Sequence, residues 1–310
     1  MARIRGCNHF VRIVHLVSLT LMFLLLPSWA LANQFPKRNY KLGETLRYRM
    51  LGLNDGRRYL AESEHTVKKQ STGEFFEEIT WKRIVRDGKE IDLSKLSDFR
   101  QILSLDENFI SPLPNLAQIP AEILPYLVGP IFDLMTFYVD TNPILFREKL
   151  SDIEKGLSVY IPFSKPASWA DGSRVLMGED CIDFNVSLSG TDSLFALRVE
   201  HVGPPLKTCV SLPETWMASP LKSRPNNWVQ VTKSLDEHFV VQWGYEYFDT
   251  HIYLDPKSGF ILSAEMYNPV DIKSRTCREI QSVNGKIISI KECGEISTGH
   301  IFRSISIQRF

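Results

Sequence analysis

Cys181-Ile182-Asp183-Phe184-Asn185-Val186-Ser187-Leu188 is the stretch that decides the fold. Ile182, Phe184, Val186 and Leu188 alternate with Cys181, Asp183, Asn185 and Ser187, the period of a strand with one face buried and one face wet. Ser189-Gly190-Thr191-Asp192 then turns the chain, and Phe195, Leu197 and Val199 resume the alternation. The same grammar extends both ways. Upstream, 40–53 runs to Asn54-Asp55-Gly56 and returns over 58–68, while 74–86 ends at Asp87-Gly88 and continues over 89–93. Downstream, strands are expected over 228–234, 239–254 and 260–267, the last two joined by Asp255-Pro256-Lys257-Ser258-Gly259. A hairpin around Asn284-Gly285 and a strand over 301–310 close the chain. About a dozen strands joined by short turns, without alternating helices, predict antiparallel pairing. The expected class is mainly β: one large, curved, half-barrel-like antiparallel meander with a helical insertion packed against it.

That insertion is predicted over about 116–155. Residues 116–139 are strongly apolar, with Glu122 and Asp133 as their only charges, and contain Pro120, Pro125 and Pro130. Prolines and acids argue against a membrane span and for short, broken helices. Ile131, Leu134, Met135 and Tyr138 fall at i, i+3, i+4 and i+7, one face of a helix. Asn142-Pro143 reads as the cap and first turn of a second helix, ending near Lys155 before Gly156. These helices either plug an open face of the sheet or form a lid over an apolar cavity. A surface for a partner or a membrane is a third use. Asp133, alone in an apolar helix, needs a hydrogen-bond partner if it is buried.

Residues 1–32 carry an address. Arg3, Arg5 and Arg12 precede the apolar run 16–26, followed by Pro27 and the small-residue exit Ala30-Leu31-Ala32. This is the layout of a cleavable secretory signal, with cleavage expected after Ala32. The apolar run is about half the ~20 residues that a bilayer span requires. The expected organisation is a signal peptide over 1–32 and one β-rich domain over 33–310, exported to the periplasm or the exterior. No further span is expected in the mature chain. Three of the 36 basic residues lie in the signal, leaving 33 against 36 acids, a net charge of −3. Neither the balance nor the distribution of charge suits nucleic acid, and no cluster of four basic residues is available for an anionic membrane surface.

Cys7 lies in the signal, before the apolar run, where it cannot serve as a lipid anchor after cleavage. Cys181, Cys209, Cys277 and Cys293 remain, an even count that suits an oxidising compartment. A three-residue bulged loop at Asn284-Gly285 would set Val283 opposite Ile287 and Cys277 opposite Cys293. The expected bridges are therefore Cys277–Cys293 and, by elimination, Cys181–Cys209. No CxxC or HxxxH spacing points to a metal, and no cofactor is expected.

The most suggestive constellation is Trp243, Tyr245, Tyr247, Asp249, His251, Tyr253 and Asp255, which share one face if the strand is unbroken. Phe248, Thr250, Ile252 and Leu254 take the opposite, core face. Aromatic residues with polar tips suit an amphipathic ligand, and Asp249 and His251 are candidates for acid–base work. The same pattern also describes the wetted side of an ordinary strand. No GxSxG, SxxK, HExxH or GxGxxG motif accompanies them. His65, His238 and His300 stand apart in sequence. An outer-membrane barrel fits poorly, because alternate residues back from Phe310 are Gln308, Ser306 and Ser304.

Two sets of motifs carry resemblances. Residues 99–106, 129–138, 168–172 (Ser-Trp-Ala-Asp-Gly), 178–180 (Gly-Glu-Asp) and 226–231 (Asn-Asn-Trp-Val-Gln-Val) together resemble a group of uncharacterised secreted bacterial proteins. That resemblance implies no activity and no site residues. Leu42-Gly43-Glu44-Thr45-Leu46-Arg47-Tyr48 and Leu254-Asp255-Pro256-Lys257-Ser258-Gly259-Phe260 look like curved-sheet envelope proteins related to lipoprotein carriers. That likeness implies a bent antiparallel sheet wrapped around apolar helices and, in the carriers, acyl chains. The function expected is non-catalytic binding or carriage of an apolar or amphipathic envelope ligand, lipid among the candidates. Trp243, Tyr245, Tyr247, Tyr253, Ile131, Leu134, Met135 and Tyr138 are its candidate contacts. The alternatives are a hydrolase using Asp249 and His251, and a structural or assembly protein offering its surface to an envelope partner.

Overall fold

Alternation becomes geometry strand by strand. The computed structural model describes residues 38, 40–54, 56–96, 98–105, 111–145, 158–161, 175–180, 184–191, 194–201, 226–234, 236–283 and 286–310. Contacts divide the chain into two units, 1–34 and 35–310, and all described residues belong to the second. The signal predicted over 1–32, Cys181 and Cys209 with their predicted bridge, residues 146–155 and residues 168–172 lie outside the described residues. The strands are β1 (Thr45–Asn54), β2 (Arg57–Lys69), β3 (Phe75–Arg86), β4 (Lys89–Ile91), β5 (Gln101–Ser104), β6 (Ser158–Ile161), β7 (Val175–Asp180) and β8 (Phe184–Thr191). They continue as β9 (Leu194–His201), β10 (Trp228–Lys233), β11 (Phe239–Glu246), β12 (Asp249–Leu254), β13 (Ile261–Val283), β14 (Lys286–Cys293) and β15 (Ser297–Arg309), and one helix, α1, spans Leu124–Leu145.

All fifteen described strands belong to one sheet, whose main path runs β4-β3-β2-β1-β15-β13-β12-β9-β8-β6. Every pairing is antiparallel. β4 and β6 end the path without meeting, so the sheet is open. The chain is mainly β, a curved antiparallel sheet with a helix packed against it, as the alternation predicts.

β13 is the spine. One of its edges takes β12 over 261–267 and then β11 over 270–277; the other takes β15 over 263–274 and then β14 over 277–283. The sequence reading divides this segment, because Pro269 and the polar run behind it interrupt the apolar pattern. The proline is tolerated because Pro269 faces the gap between β11 and β12, where its carbonyl accepts from the Tyr247 amide at 3.1 Å. The single strand expected over 239–254 is likewise two, interrupted at Tyr247-Phe248. Asn227 and Asn268 heal the interruption. Asn227 bonds both the amide and the carbonyl of Glu246, and Asn268 donates to the Tyr247 carbonyl. Register is preserved across the gap, with Trp243 opposite Lys273 and Asp249 opposite Tyr267.

The Cys277–Cys293 disulfide forms between directly paired residues. The register beside the turn differs from expectation. Val283 pairs with Lys286 rather than Ile287, and a bulge between Gln281 and Ser282 absorbs the one-place difference before the cysteines. Val229, Val231, Val241, Trp243, Cys277 and Ile290 form a small apolar cluster around the bridge.

The main core lies on the other face. Even-numbered Ala264 and Met266 of β13 point into it, whereas odd-numbered Cys277 points away. Leu127, Ile131, Leu134, Met135 and Tyr138 of α1 cover that face and are all buried. At ~1.5–3 kcal/mol for each fully buried large side chain, their burial is worth on the order of 10 kcal/mol. The helix is one continuous element rather than the expected short pieces, and Asn142-Pro143 lies inside it instead of starting another. Tertiary anchoring outweighs the proline penalty. The Gln101 amide donates to the Ile131 carbonyl at 2.9 Å, and the Thr141 hydroxyl donates to the Phe137 carbonyl at 2.6 Å. No helix among the described residues is long and apolar enough to cross a membrane.

The bridged ring has a sequence separation of 16 residues. Replacing both Cys277 and Cys293 by alanine is expected to lower unfolding free energy by about 3 kcal/mol. Urea denaturation measures it, and a non-reducing peptide map should recover the two cysteines on one linked pair.

Candidate functional site

Three polar groupings compete for a functional role, and they differ in what can reach them. The first is the aromatic face of β11 and β12. The ladder puts Trp243, Tyr245, Asp249, His251 and Tyr253 on one side, as the sequence predicts. Trp243, however, is sealed into the cluster around the disulfide, whereas Tyr245, Tyr247 and Tyr253 are half-buried. Asp249 accepts two hydrogen bonds from the Arg198 guanidinium, at 3.2 and 3.0 Å. His251 lies 3.5 Å from Asp249 with its side chain 46 % exposed. Tyr247 donates to Glu200 at 3.0 Å, and burial followed by that hydrogen bond pushes its pKa up to about 12. None of these residues lines the pocket described below. The pair Asp249–His251 therefore has a competing arginine and a half-exposed imidazole.

The second grouping was not visible as a motif. Ser63 and His65 occupy successive inward positions of β2, and Glu77 occupies an inward position of β3. His65 Nδ1 lies 2.8 Å from Glu77 Oε2, and the Ser63 hydroxyl lies 2.9 Å from Nε2. Tyr138 of α1 donates to the same Glu77 oxygen at 2.5 Å, and Arg38 pairs with the other at 3.1 Å. Burial alone would raise the Glu77 pKa, but Arg38, His65 and Tyr138 together bring it down to about 2. Glu77 is thus ionised, so Nδ1 donates to it, and Nε2 shares a hydrogen bond with the Ser63 hydroxyl. This is the connectivity of a Ser-His-acid relay. Access is missing: Ser63, His65 and Glu77 are 4, 1 and 0 % exposed, and the ring of Tyr48 lies 4.7 Å from that of His65. The relay works as a buried clamp joining β2, β3, α1 and Arg38. Its sequence signal is polar residues at inward positions, Ser63 and His65 between Ala61 and Val67, with Glu77 two places before Ile79.

The third grouping surrounds a pocket of about 440 Å³ between the N-terminal half of α1 and the ends of β1, β2, β3 and β15. Such a volume suits a small ligand. Val128, Phe132 and Ile301 supply apolar wall; Arg57, Arg86 and Arg303 supply cations; Asn54, Tyr59 and Asp133 supply neutral and acidic polar groups. Each is placed by local structure. Tyr59 is the cross-strand partner of Gly52, and its ring occupies the space where a Cβ would stand, 2.0 Å away. That placement lets its hydroxyl donate to Asp133 at 2.6 Å, while the Asn54 amide donates at 2.9 Å. The buried Asp133 thereby has the partners that its position demands. Burial, then the Asp133 charge, raises the Tyr59 pKa well above its ordinary value and keeps the phenol a donor. Arg86 bonds the Pro125 carbonyl and lies against the Tyr126 ring. Arg303 donates to Thr136 at 2.9 Å, and its Nε is buried without a hydrogen-bond partner.

The predicted contacts Ile131, Leu134, Met135 and Tyr138 face the core and do not line the pocket, whereas Val128 and Phe132, about a quarter turn round α1, do. No group of three His, Cys, Asp or Glu among the described residues is placed to hold a metal. Compared with known proteins, the chain matches no family model and no curated sequence.

The Glu77 clamp sets an acid limit. Its folded pKa lies below the ordinary 4.5, so its contribution to stability is complete above that value and declines as pH falls towards about 2. Wild-type unfolding free energy should fall through this window. Glu77→Gln should be destabilised at neutral pH by about 3–5 kcal/mol, because Arg38 is left buried and unpaired, and should show a weaker acid dependence in pH-series urea titrations.

Proposed function

We propose that this chain is an exported, non-catalytic binder of an amphipathic envelope ligand, held in the pocket beside α1. One observation carries the reading: a cavity of about 440 Å³ has an apolar wall on the helix and a polar, cationic wall on the strand ends. A ligand with an apolar body and a polar end satisfies both walls at once. The inward helix face is spent on the core, and the adjoining Val128–Phe132 flank, with Phe132 also packed on that core, faces the pocket. Catalysis has weaker support. The Ser63–His65–Glu77 relay is sealed, and Asp249 is engaged by Arg198. The periplasm or the exterior is the compartment this proposal takes, in keeping with the leader over 1–32.

One observation favours the assembly alternative. Tyr267, 44 % exposed, stacks edge-on with Tyr247 and Phe302 on the outer face. A partner covering that patch would protect Tyr267 without touching the pocket.

Gly129 separates the two. It lines the pocket, and a Cβ built there meets nothing within 4 Å. Gly129→Leu should fill the cavity while raising helix propensity by up to about 1 kcal/mol. Wild-type protein is expected to carry extractable amphiphile in native mass spectrometry and to bind Nile red in a saturable way. Gly129→Leu should remain folded and lose both. An empty wild-type protein whose Nile red signal survives in Gly129→Leu would overturn the proposal.

A further inference from the structure

We infer that the polar end of the ligand is an anion, a carboxylate or a phosphate monoester, received by Arg303 and Arg57. This inference rests on the binding reading above and adds the charge of what is bound. Several arginines on these strands are matched by acids, Arg47 with Glu64, Arg49 with Glu62 and Arg83 with Glu90. Among the described residues Arg309 lies over the Phe260 ring without an ion pair, and the pocket gathers further unmatched arginines beside one cavity. Among the described residues, Arg57 and Arg303 have no carboxylate within ion-pair distance, and Arg86 has only Asp87 at 3.8 Å, on a largely exposed side chain.

The lone acid of the pocket does not fill the gap. Asp133 accepts hydrogen bonds from Tyr59 and Asn54, both neutral donors. Three cations against one carboxylate leave the lining two charges positive. Arg303 is the more informative of the two receivers. It is partly buried and held through one nitrogen to the neutral Thr136 hydroxyl, and its Nε has no partner. A buried donor without a partner costs about 1–3 kcal/mol, which an incoming oxyanion recovers. A planar guanidinium also matches two oxygens of one carboxylate or phosphate. Arg57, exposed at the start of β2, stands at the same pocket and can close on the ligand from the solvent side. Arg86 is fixed as wall by Pro125 and Tyr126.

Isothermal titration with a matched dodecyl series tests the charge separately from the pocket. The probes are dodecanoate, dodecyl phosphate, dodecyltrimethylammonium and dodecyl maltoside below their micellar concentrations, with inorganic phosphate alone as the fifth. Dodecanoate and dodecyl phosphate should bind at least tenfold more tightly than the cationic and neutral probes. Arg303→Gln and Arg57→Gln should each weaken the anionic probes about tenfold or more, the scale of one charge-assisted hydrogen bond, and leave dodecyl maltoside unchanged. Equal affinity for maltoside and the anions, lost in Gly129→Leu, overturns the anion inference and keeps the pocket reading. Inorganic phosphate binding as tightly as dodecyl phosphate keeps the anion and overturns the amphipathic reading. Binding by none of the probes overturns both.

Discussion

A single sheet with one apolar face is unstable in water until something covers that face, and in this protein α1 is the cover. Its inward side chains belong to one continuous core with residues from β1, β2, β3, β5, β8, β9, β12, β13 and β15. That dependence explains why the helix persists through Pro130 and Asn142-Pro143. Losing a few internal hydrogen bonds costs less than uncovering the sheet. It also explains where the polar side chains of the interior sit. Gln101, Thr141 and Tyr138 all fasten the helix or tie it to the sheet.

The two polar clusters under the helix solve opposite electrostatic problems. Around Glu77 every charge is answered: Arg38 balances the carboxylate, Tyr138 and His65 complete its hydrogen bonds, and the result is sealed. Around Asp133 two neutral donors bond the acid, and three arginines share the same pocket lining. The first arrangement contributes to holding the fold together; the second leaves electrostatic capacity facing a cavity. Both depend on local devices in the strands. A bulge opposite Glu62-Ser63 shifts the inward positions of β3 from Trp81 to Ile84, and Gly52 gives the Tyr59 ring its seat.

Much of the fold was legible from alternation alone. The inward residues of β8 and β9 and the core face of α1 follow from periods of two or 3.6 residues, the turns after β1 and β3 from their Asn, Asp and Gly, and the Cys277–Cys293 pairing holds because a bulge offsets a connection shorter than expected. Boundaries were harder. The length of β13 was hidden by Pro269, whose harmlessness depends on a gap in the neighbouring strand that local sequence does not reveal. The candidate site was barely legible. Ser63, His65 and Glu77 are joined by cross-strand register, and Arg57, Arg86 and Arg303 come from three different strands. Asp133 stood out as the lone charge in its helix, but Tyr59 and Asn54 could be named as its partners only in three dimensions. The aromatic strand face attracted attention because its residues are contiguous, whereas the pocket is assembled from residues far apart in the chain.

The pairing of β1 with β15 has a consequence for how the molecule comes into being. β15 lies between β1 and β13, so among the described strands the ladder of β1 to β5 reaches the rest of the sheet through this last thirteen-residue strand. A chain emerging from its amino end can form β1 with β2 and β3, but must wait for its final residues before the two halves meet. Long-range closure of this kind makes folding slow and late. Until those residues arrive, the facing edges of β1 and β13 stay unpaired.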